Sequence, residues 1–224
     1  MNPLLRNSDA HVFVERLESP QLVPEDEHHL DRALRLEETD PITVSDGHGR
    51  WATATWSRRR GLELTSQIFS DRERPTLTIG CAIPKGERPE LLVQKLTELG
   101  IDRISLFETA RSVVRWDDER RSNRAERLKR VAREAAMQSR RTFLPRIEFT
   151  TFDRMIQRNG MALAEPGGRD PIDEAVTGIL VGPEGGFDRE ELDVALPKIS
   201  LSRHILRVET AAIVAAAMLV SHHG

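Results

Sequence analysis

The stretch ILVGPEGGFDREEL, residues 179–192, decides how this chain is read. An apolar strand ends on a loop with three glycines around Pro183 and Glu184, and an acidic helix start follows. Gly182, Gly185 and Gly186 permit positive φ and, lacking Cβ, let backbone N–H and C=O groups come close to a bound molecule. Asp188, with Glu191 three residues on, has the form of an N-cap and its capping acid, which predicts a helix from that point. The loop reads as a ligand-gripping turn; an ordinary strand–turn–helix corner is the alternative that the same residues allow. Its spacing matches neither G-x-G-x-x-G nor G-x-x-x-x-G-K-[ST], so the common nucleotide fingerprints are absent.

A second segment, LSRHILRVETAAIVAAAML at residues 201–219, sets Arg207, Glu209 and Thr210 ahead of an almost wholly apolar helix. Such a helix has no solvent face and is expected to be buried on most sides. Its apolar run of about ten residues is too short to span a bilayer, which takes roughly 20. The small alanines suit close packing against another element or a second subunit, so a homodimer is expected.

Upstream the pattern changes once. Residues 11–68 read mostly as strands, HVFVERL, PITVSD, RWATATWS and GLELTSQIF, broken by Asp46-Gly47 and Arg60-Gly61 and by one helix over residues 25–36. That suits a small β-barrel. The polar run SDRERP, residues 70–75, is the linker candidate, which predicts domains over residues 1–72 and 73–224. Beyond it strands (77–81, 103–107, 146–149, 161–164, 178–181, 199–201) alternate with helices (89–99, 123–138, 153–158, 188–196, 209–222), the signature of a parallel α/β sheet.

Composition narrows the classes. At 224 residues the chain has room for two small domains, each with its own core. Cys81 is the single cysteine, which excludes an internal disulfide, and its neighbours Leu77, Ile79 and Ile83 predict a buried strand position rather than a catalytic thiol. The first residues lack the apolar core of a signal peptide, and no segment is long enough for a membrane span, so a cytoplasmic protein is expected. No metal site is expected: His28 and His29 are adjacent and diverge on a helix, and His222 and His223 sit at a terminus. Net charge is −3, yet between Arg111 and Arg146 the chain carries 12 Arg and Lys against 5 acids. A basic stripe on a near-neutral protein is what a phosphate-backbone footprint looks like. A solvated helix face with i,i+4 pairs such as Glu126 with Arg130 is the alternative.

GPEGG at residues 182–186 and LR-x-ETA at 206–211 combine with KGERPELLVQKLTELGI at 85–101, HLDRALRL at 29–36 and DGHGRWATATW at 46–56. In this order they resemble the ribosomal RNA small subunit methyltransferase E family, knotted SPOUT enzymes, over nearly the whole chain. Where the family usually has L-G-x-R-I-L-R-x-E-T-A, Ser202 stands for the glycine and His204 for the first arginine; E-Q-S-G-R is written here as Met137, Gln138, Ser139, Arg140 and Arg141. The resemblance implies a SPOUT-like parallel sheet with a C-terminal trefoil knot, a PUA-like N-terminal RNA-binding β-barrel, and methyl transfer from S-adenosyl-L-methionine to N3 of a uridine in 16S rRNA near the decoding site. The partner is 16S rRNA or the small ribosomal subunit.

On that resemblance the cofactor lies against Val181, Gly182, Pro183, Glu184, Gly185, Gly186, Leu201, Ile205, Leu206 and Thr210, apolar walls with backbone polar groups for an adenine. Arg207 is the candidate to stabilise charge developing on the uracil oxygens, with an ion pair to Glu209 or to the opposite subunit as its alternative. Glu209 is a candidate proton acceptor, or it caps the last helix. Arg35, Lys85, Arg111, Arg115, Arg140 and Arg141 are the RNA-contact candidates. A non-enzymatic RNA-binding protein on the same scaffold, with Ser202 and His204 marking a lost cofactor site, is the rival reading.

Overall fold

The computed structural model describes residues 1–28, 30, 40–71, 74–86, 88–112, 114 and 116–223. It divides into two compact units, Met1–Arg74 with Arg133–Leu144, and Pro75–Ala132 with Pro145–Gly224. The sequence reading had given residues 133–144 to the second domain.

In the first unit, short helices α1 (Pro3–Arg6) and α2 (Pro24–His28) accompany five strands: β1 (Ala10–Phe13), β2 (Ile42–Ser45), β3 (Arg50–Ser57), β4 (Gly61–Leu64) and β5 (Phe69–Ser70). They are ordered β1-β2-β3-β4, with β5 also on β3. The β1–β2 pair is parallel and the rest are antiparallel. Asp46 makes the β2–β3 turn, its Oδ1 accepting from the His48 and Arg50 N–H groups at 2.8 and 3.2 Å, the local bonding that favours aspartate in turns. Val12, Leu17, Leu30, Ile42, Val44 and Ala52 are buried together as its core. The expected helix over 25–36 is followed to His28; most of HLDRALRL, Arg35 included, lies outside the described residues.

Residues 133–144 enter this unit through polar contacts. Arg133 pairs with the buried Asp26 and donates to the Phe13 carbonyl at 3.2 Å. His11 lies 2.8 Å by Nδ1 from Thr43 Oγ1 and 2.8 Å by Nε2 from the Arg141 carbonyl. A carbonyl only accepts, so Nε2 carries the proton and Nδ1 accepts from the threonine.

The second unit is a six-stranded sheet of β6 (Thr78–Ala82), β7 (Arg103–Glu108), β8 (Arg146–Thr151), β9 (Met161–Ala164), β10 (Gly178–Val181) and β11 (Lys198–Ile199). Its order is β11-β9-β10-β6-β7-β8, every pair parallel, as the alternation of strand and helix predicts. Helices α3 (Arg88–Leu99), α4 (Asp118–Gln138), α5 (Phe152–Ile156), α6 (Arg189–Leu192) and α7 (Val208–His223) connect or follow these strands.

Strand side chains alternate, which divides the apolar content between two faces. Ile79, Cys81, Ile104, Leu106, Ile179 and Val181 share one core with residues of α3 and α7. Phe107, Leu163 and Leu180 share the other with Phe152 and Met155 of α5 and with Phe187. Covered on both faces, the strands read as near-continuous apolar runs. Cys81 is fully buried, and burial, with the nearby Glu209 and Glu184 carboxylates, pushes its thiol pKa up, so it is an inert core residue.

Element ends follow their caps. α4 starts five residues before the expected position because Asp117 Oδ1 accepts the Arg120 N–H at 2.8 Å. α7 leaves Ala217 exposed and Ile213 and Val214 half-buried within one chain, while Ala212, Ala215, Ala216 and Leu219 are buried. Among the described residues no helix is long and apolar enough to cross a membrane.

Candidate functional site

At the carboxyl ends of β9 and β10 lies a cavity of about 550 Å³. Open parallel sheets place ligands at this end of their strands. Three chain segments supply most of its wall: residues 164–166 after β9, residues 181–187 after β10, and residues 201–208 leading into α7, with 203 and 207 standing out of the lining; Arg111, Arg189, Leu192 and Ala211 complete it.

The middle segment is the loop that opened the sequence reading. The Gly186 N–H donates to the Pro183 carbonyl at 2.8 Å and closes a tight turn. Of the three glycines that permit positive φ, only Gly186 adopts it, at 69°. Gly182 serves a different need, since a Cβ there would stand 3.2 Å from the Phe187 ring. At Gly185 a Cβ would meet Arg111 at an ordinary 3.7 Å. The predicted capping box is present: Asp188 Oδ1 accepts the Glu191 N–H at 2.7 Å, and Glu191 Oε2 accepts the Asp188 N–H at 2.8 Å. The other Glu191 oxygen accepts from the Ala110 N–H at 2.9 Å, and Arg111 Nη1 donates to the carbonyls of Gly185 and Phe187 at 3.0 and 3.4 Å. The segment after β7 therefore braces the loop, with Arg111 itself on the cavity wall.

Val181, Gly182, Pro183, Glu184, Gly185, Gly186, Leu201, Ile205 and Leu206 all line the cavity. Thr210 does not; it is exposed on the first turn of α7. Ser202 and His204, the departures from the family motif, also line it. So does Glu165, just past β9, whose carboxyl pKa is raised by burial against the opposing pull of Lys198.

The two catalytic candidates stand outside the lining. Arg207 is exposed between two lining residues, Leu206 and Val208. Its alternative ion pair with Glu209 is not formed: Glu209 Oε1 lies 3.6 Å from Arg88 Nε. Glu209 is buried, and its Oε2 has no hydrogen-bond partner among the described residues. Arg88 also reaches Glu184, with Nη1 3.8 Å from Oε1. Sequence reasoning passed over Arg88 although it quoted KGERPELL, because nothing local in that motif announces a partner some hundred residues away.

The RNA candidates scatter. Lys85 is exposed between β6 and α3. Arg111 is the loop brace described above. Arg115, like Arg35, lies outside the described residues. Arg140, at φ 59°, spends its guanidinium on backbone carbonyls of Met137, Ser8 and Asp9 at 3.0, 3.0 and 3.1 Å. Burial pushes its pKa down. Arg141 is half-buried, with its carbonyl engaged by His11. The basic stripe is answered in part by carboxylates: Arg121 by Glu108 at 2.9 Å, Arg124 and Arg127 by Glu90 at 2.6 and 2.9 Å, and Lys129 by Glu126 at 2.8 Å. Glu126 thus takes Lys129 rather than the expected Arg130.

Comparison with known proteins agrees with this geometry. Residues 72–220 match the model of the RNA methyltransferase domain family. The ribosomal RNA small subunit methyltransferase E of Rickettsia conorii is 30% identical over 213 positions, spanning 86% of this chain and 85% of that protein. Its namesake in Bacillus subtilis is 28% identical over 225 positions, spanning 88% of each. A methyltransferase of Legionella pneumophila, solved with bound cofactor SAM, superposes with a TM-score of 0.79 at 25% identity, covering 94% of this chain and 96% of the other. With its parallel sheet, its glycine loop and these relatives over nearly its full length, the chain belongs to the ribosomal RNA small subunit methyltransferase E family.

Proposed function

We propose that the protein methylates N3 of a uridine in 16S rRNA near the decoding site, using S-adenosyl-L-methionine. One observation carries this reading: the cavity is walled by every residue expected to hold the cofactor except Thr210. Its volume of about 550 Å³ suits a molecule of that size. Val181, Leu201, Ile205 and Leu206 offer apolar walls for an adenine, the 182–186 loop offers backbone polar groups, and the Glu165 and Glu184 carboxylates can accept from hydroxyl or ammonium donors. S-adenosyl-L-methionine supplies an electrophilic methyl group carried on a sulfonium.

The chain's own task is to bring the uracil edge to that methyl and to answer the charge that appears there. On loss of the N3 proton to water, negative charge would spread onto the two uracil carbonyl oxygens; as the nitrogen lone pair forms the new N–C bond, the methyl–sulfur bond would break with its electron pair staying on sulfur, which leaves a neutral thioether. A fixed guanidinium donor lowers the energy of that charge. Arg207 is our candidate for that donor, supported by its exposure between the lining residues Leu206 and Val208. Glu209 acts structurally, since its carboxylate is committed to Arg88.

The wider reading includes a C-terminal trefoil knot, an N-terminal PUA-like barrel over residues 1–72 that docks RNA, a SPOUT domain over 73–224, a cytoplasmic location and a homodimer. Ala217, Ile213 and Val214, uncovered within one chain, support the dimer. Two measurements test the activity. Calorimetric titration of S-adenosyl-L-methionine is expected to show saturable binding, and mass mapping of 16S rRNA from treated small subunits is expected to show one methyl on a uridine that also blocks Watson–Crick pairing. Folded protein without saturable binding favours the non-enzymatic RNA binder; a methyl on ribose or carbon overturns the N3 chemistry.

A further inference from the structure

Three charged side chains of the second unit meet beside the cavity. Arg88 stands at the first position of α3, Glu184 on the cavity wall, and Glu209 in the first turn of α7. The guanidinium lies 3.8 Å from Glu184 Oε1 by Nη1 and 3.6 Å from Glu209 Oε1 by Nε. Its two partners differ in environment: the Glu184 side chain is 36% exposed and that of Glu209 12%. One cation between two acids leaves a residual negative charge, and Glu209 Oε2 remains buried without a hydrogen-bond partner among the described residues.

Buried charges keep their place only through their counter-ions, and removing one partner costs more than the pair contributes. Glu209 is anchored by the packing of α7 against α3, β6 and β10. The 182–186 loop has no such packing on its cavity side, where its ligand must enter. Without Arg88, the Glu184 and Glu209 carboxylates would face each other uncompensated, and their repulsion would push the loop away from α7.

We propose that Arg88 is a positioning residue of the cofactor site, tying the more exposed partner Glu184 to the anchored partner Glu209 so that the glycine loop keeps its ligand-binding shape. This rests on the reading of the cavity as the S-adenosyl-L-methionine site. Arg88 is not itself a lining residue and acts through Glu184, which is.

A double-mutant cycle in the full-length protein tests it, with S-adenosyl-L-methionine affinity read by calorimetry. Arg88→Met is expected to weaken binding by about five- to ten-fold, a range discounted for the partial exposure of the bridge. In a Glu184→Gln background the same change is expected to cost about two-fold or less, because the coupling is already gone. Arg88→Lys, which keeps the charge, is expected to recover most of the loss. In turnover assays the effect falls on KM for the cofactor, with kcat and KM for RNA nearly unchanged. Equal losses in both backgrounds, or unchanged affinity in Arg88→Met, overturn the proposal. If Arg88→Met does not fold, the cycle is run with Arg88→Gln, which also removes the charge, by the same criterion. A wild-type protein that binds no S-adenosyl-L-methionine sinks the cofactor reading itself, a result distinct from a wild type that binds and a cycle that is additive.

Discussion

Arg111 Nη1 donates to the Gly185 carbonyl at 3.0 Å, so an arginine that the charge pattern assigned to RNA holds the glycine loop instead. The bond fixes which way the peptide between Gly185 and Gly186 points.

Replacing Arg111 with Ala is therefore expected to weaken S-adenosyl-L-methionine binding by about three- to ten-fold, the worth of one or two exposed hydrogen bonds. The salt dependence of RNA binding should not change. A salt slope that drops by about one with cofactor affinity intact would return Arg111 to the RNA surface.

The loop glycines should separate in a substitution series. Gly186→Ala forces a side chain into the left-handed region and is expected to cost about 1–2 kcal/mol, seen as a lower Tm and weaker cofactor binding. Gly185→Ala meets only ordinary contacts and should be the mildest of the three. Gly182→Ala must displace the Phe187 ring and should fall between them. Equal effects at all three positions would contradict this loop geometry.

Acid should loosen the first unit through His11. Its folded-state pKa is lowered from 6.5 to about 4, by burial first and then by the Arg140 and Arg133 charges, while its bond to the Arg141 carbonyl pulls the other way. Because the unfolded histidine takes the proton more readily, this contribution is complete above pH 6.5 and is lost as pH falls toward 4, by about 3 kcal/mol in all. Denaturation of His11→Gln across that range should show a flatter pH dependence than the wild type; parallel curves would remove His11 from the account.

Two neighbouring alanines of α7 distinguish core from interface. Ala216 is fully buried within one chain, so Ala216→Glu is expected to unfold the protein, at a cost of several kcal/mol. Ala217 is exposed, so Ala217→Glu should leave the fold intact and shift sedimentation from dimer to monomer. A wild-type chain that sediments as a monomer at micromolar concentration would defeat the homodimer.

Reversing Arg140 should damage the first unit rather than an RNA surface, because its guanidinium is bonded to the Ser8 and Asp9 carbonyls. Arg120 and Arg130, both exposed on α4, are better probes of the stripe. If the stripe contacts phosphates, each change to Glu should flatten the log–log salt slope by about one. An unchanged slope marks a solvated face.

What the sequence determined by itself was whatever rests on neighbours along the chain. The capping box of Asp188 and Glu191, the β10 strand before the glycine loop, the burial of Cys81 and the parallel sheet all follow from local hydrogen bonding and side-chain periodicity. The cavity was legible for the same reason, since its walls are contiguous runs at the ends of strands. Only the tertiary structure decided which partner each long charged side chain takes. Arg88 with Glu184 and Glu209, Arg111 with Gly185, and Arg140 with Ser8 and Asp9 join positions about seventy residues apart or more. An arginine side chain reaches several ångströms in any of many rotamers, so its sequence neighbours do not choose its partner. The same holds for which alanines of α7 are core, because a helix apolar all round has no periodicity to tell its faces apart, and only the packing of α3, β6 and β10 selects one.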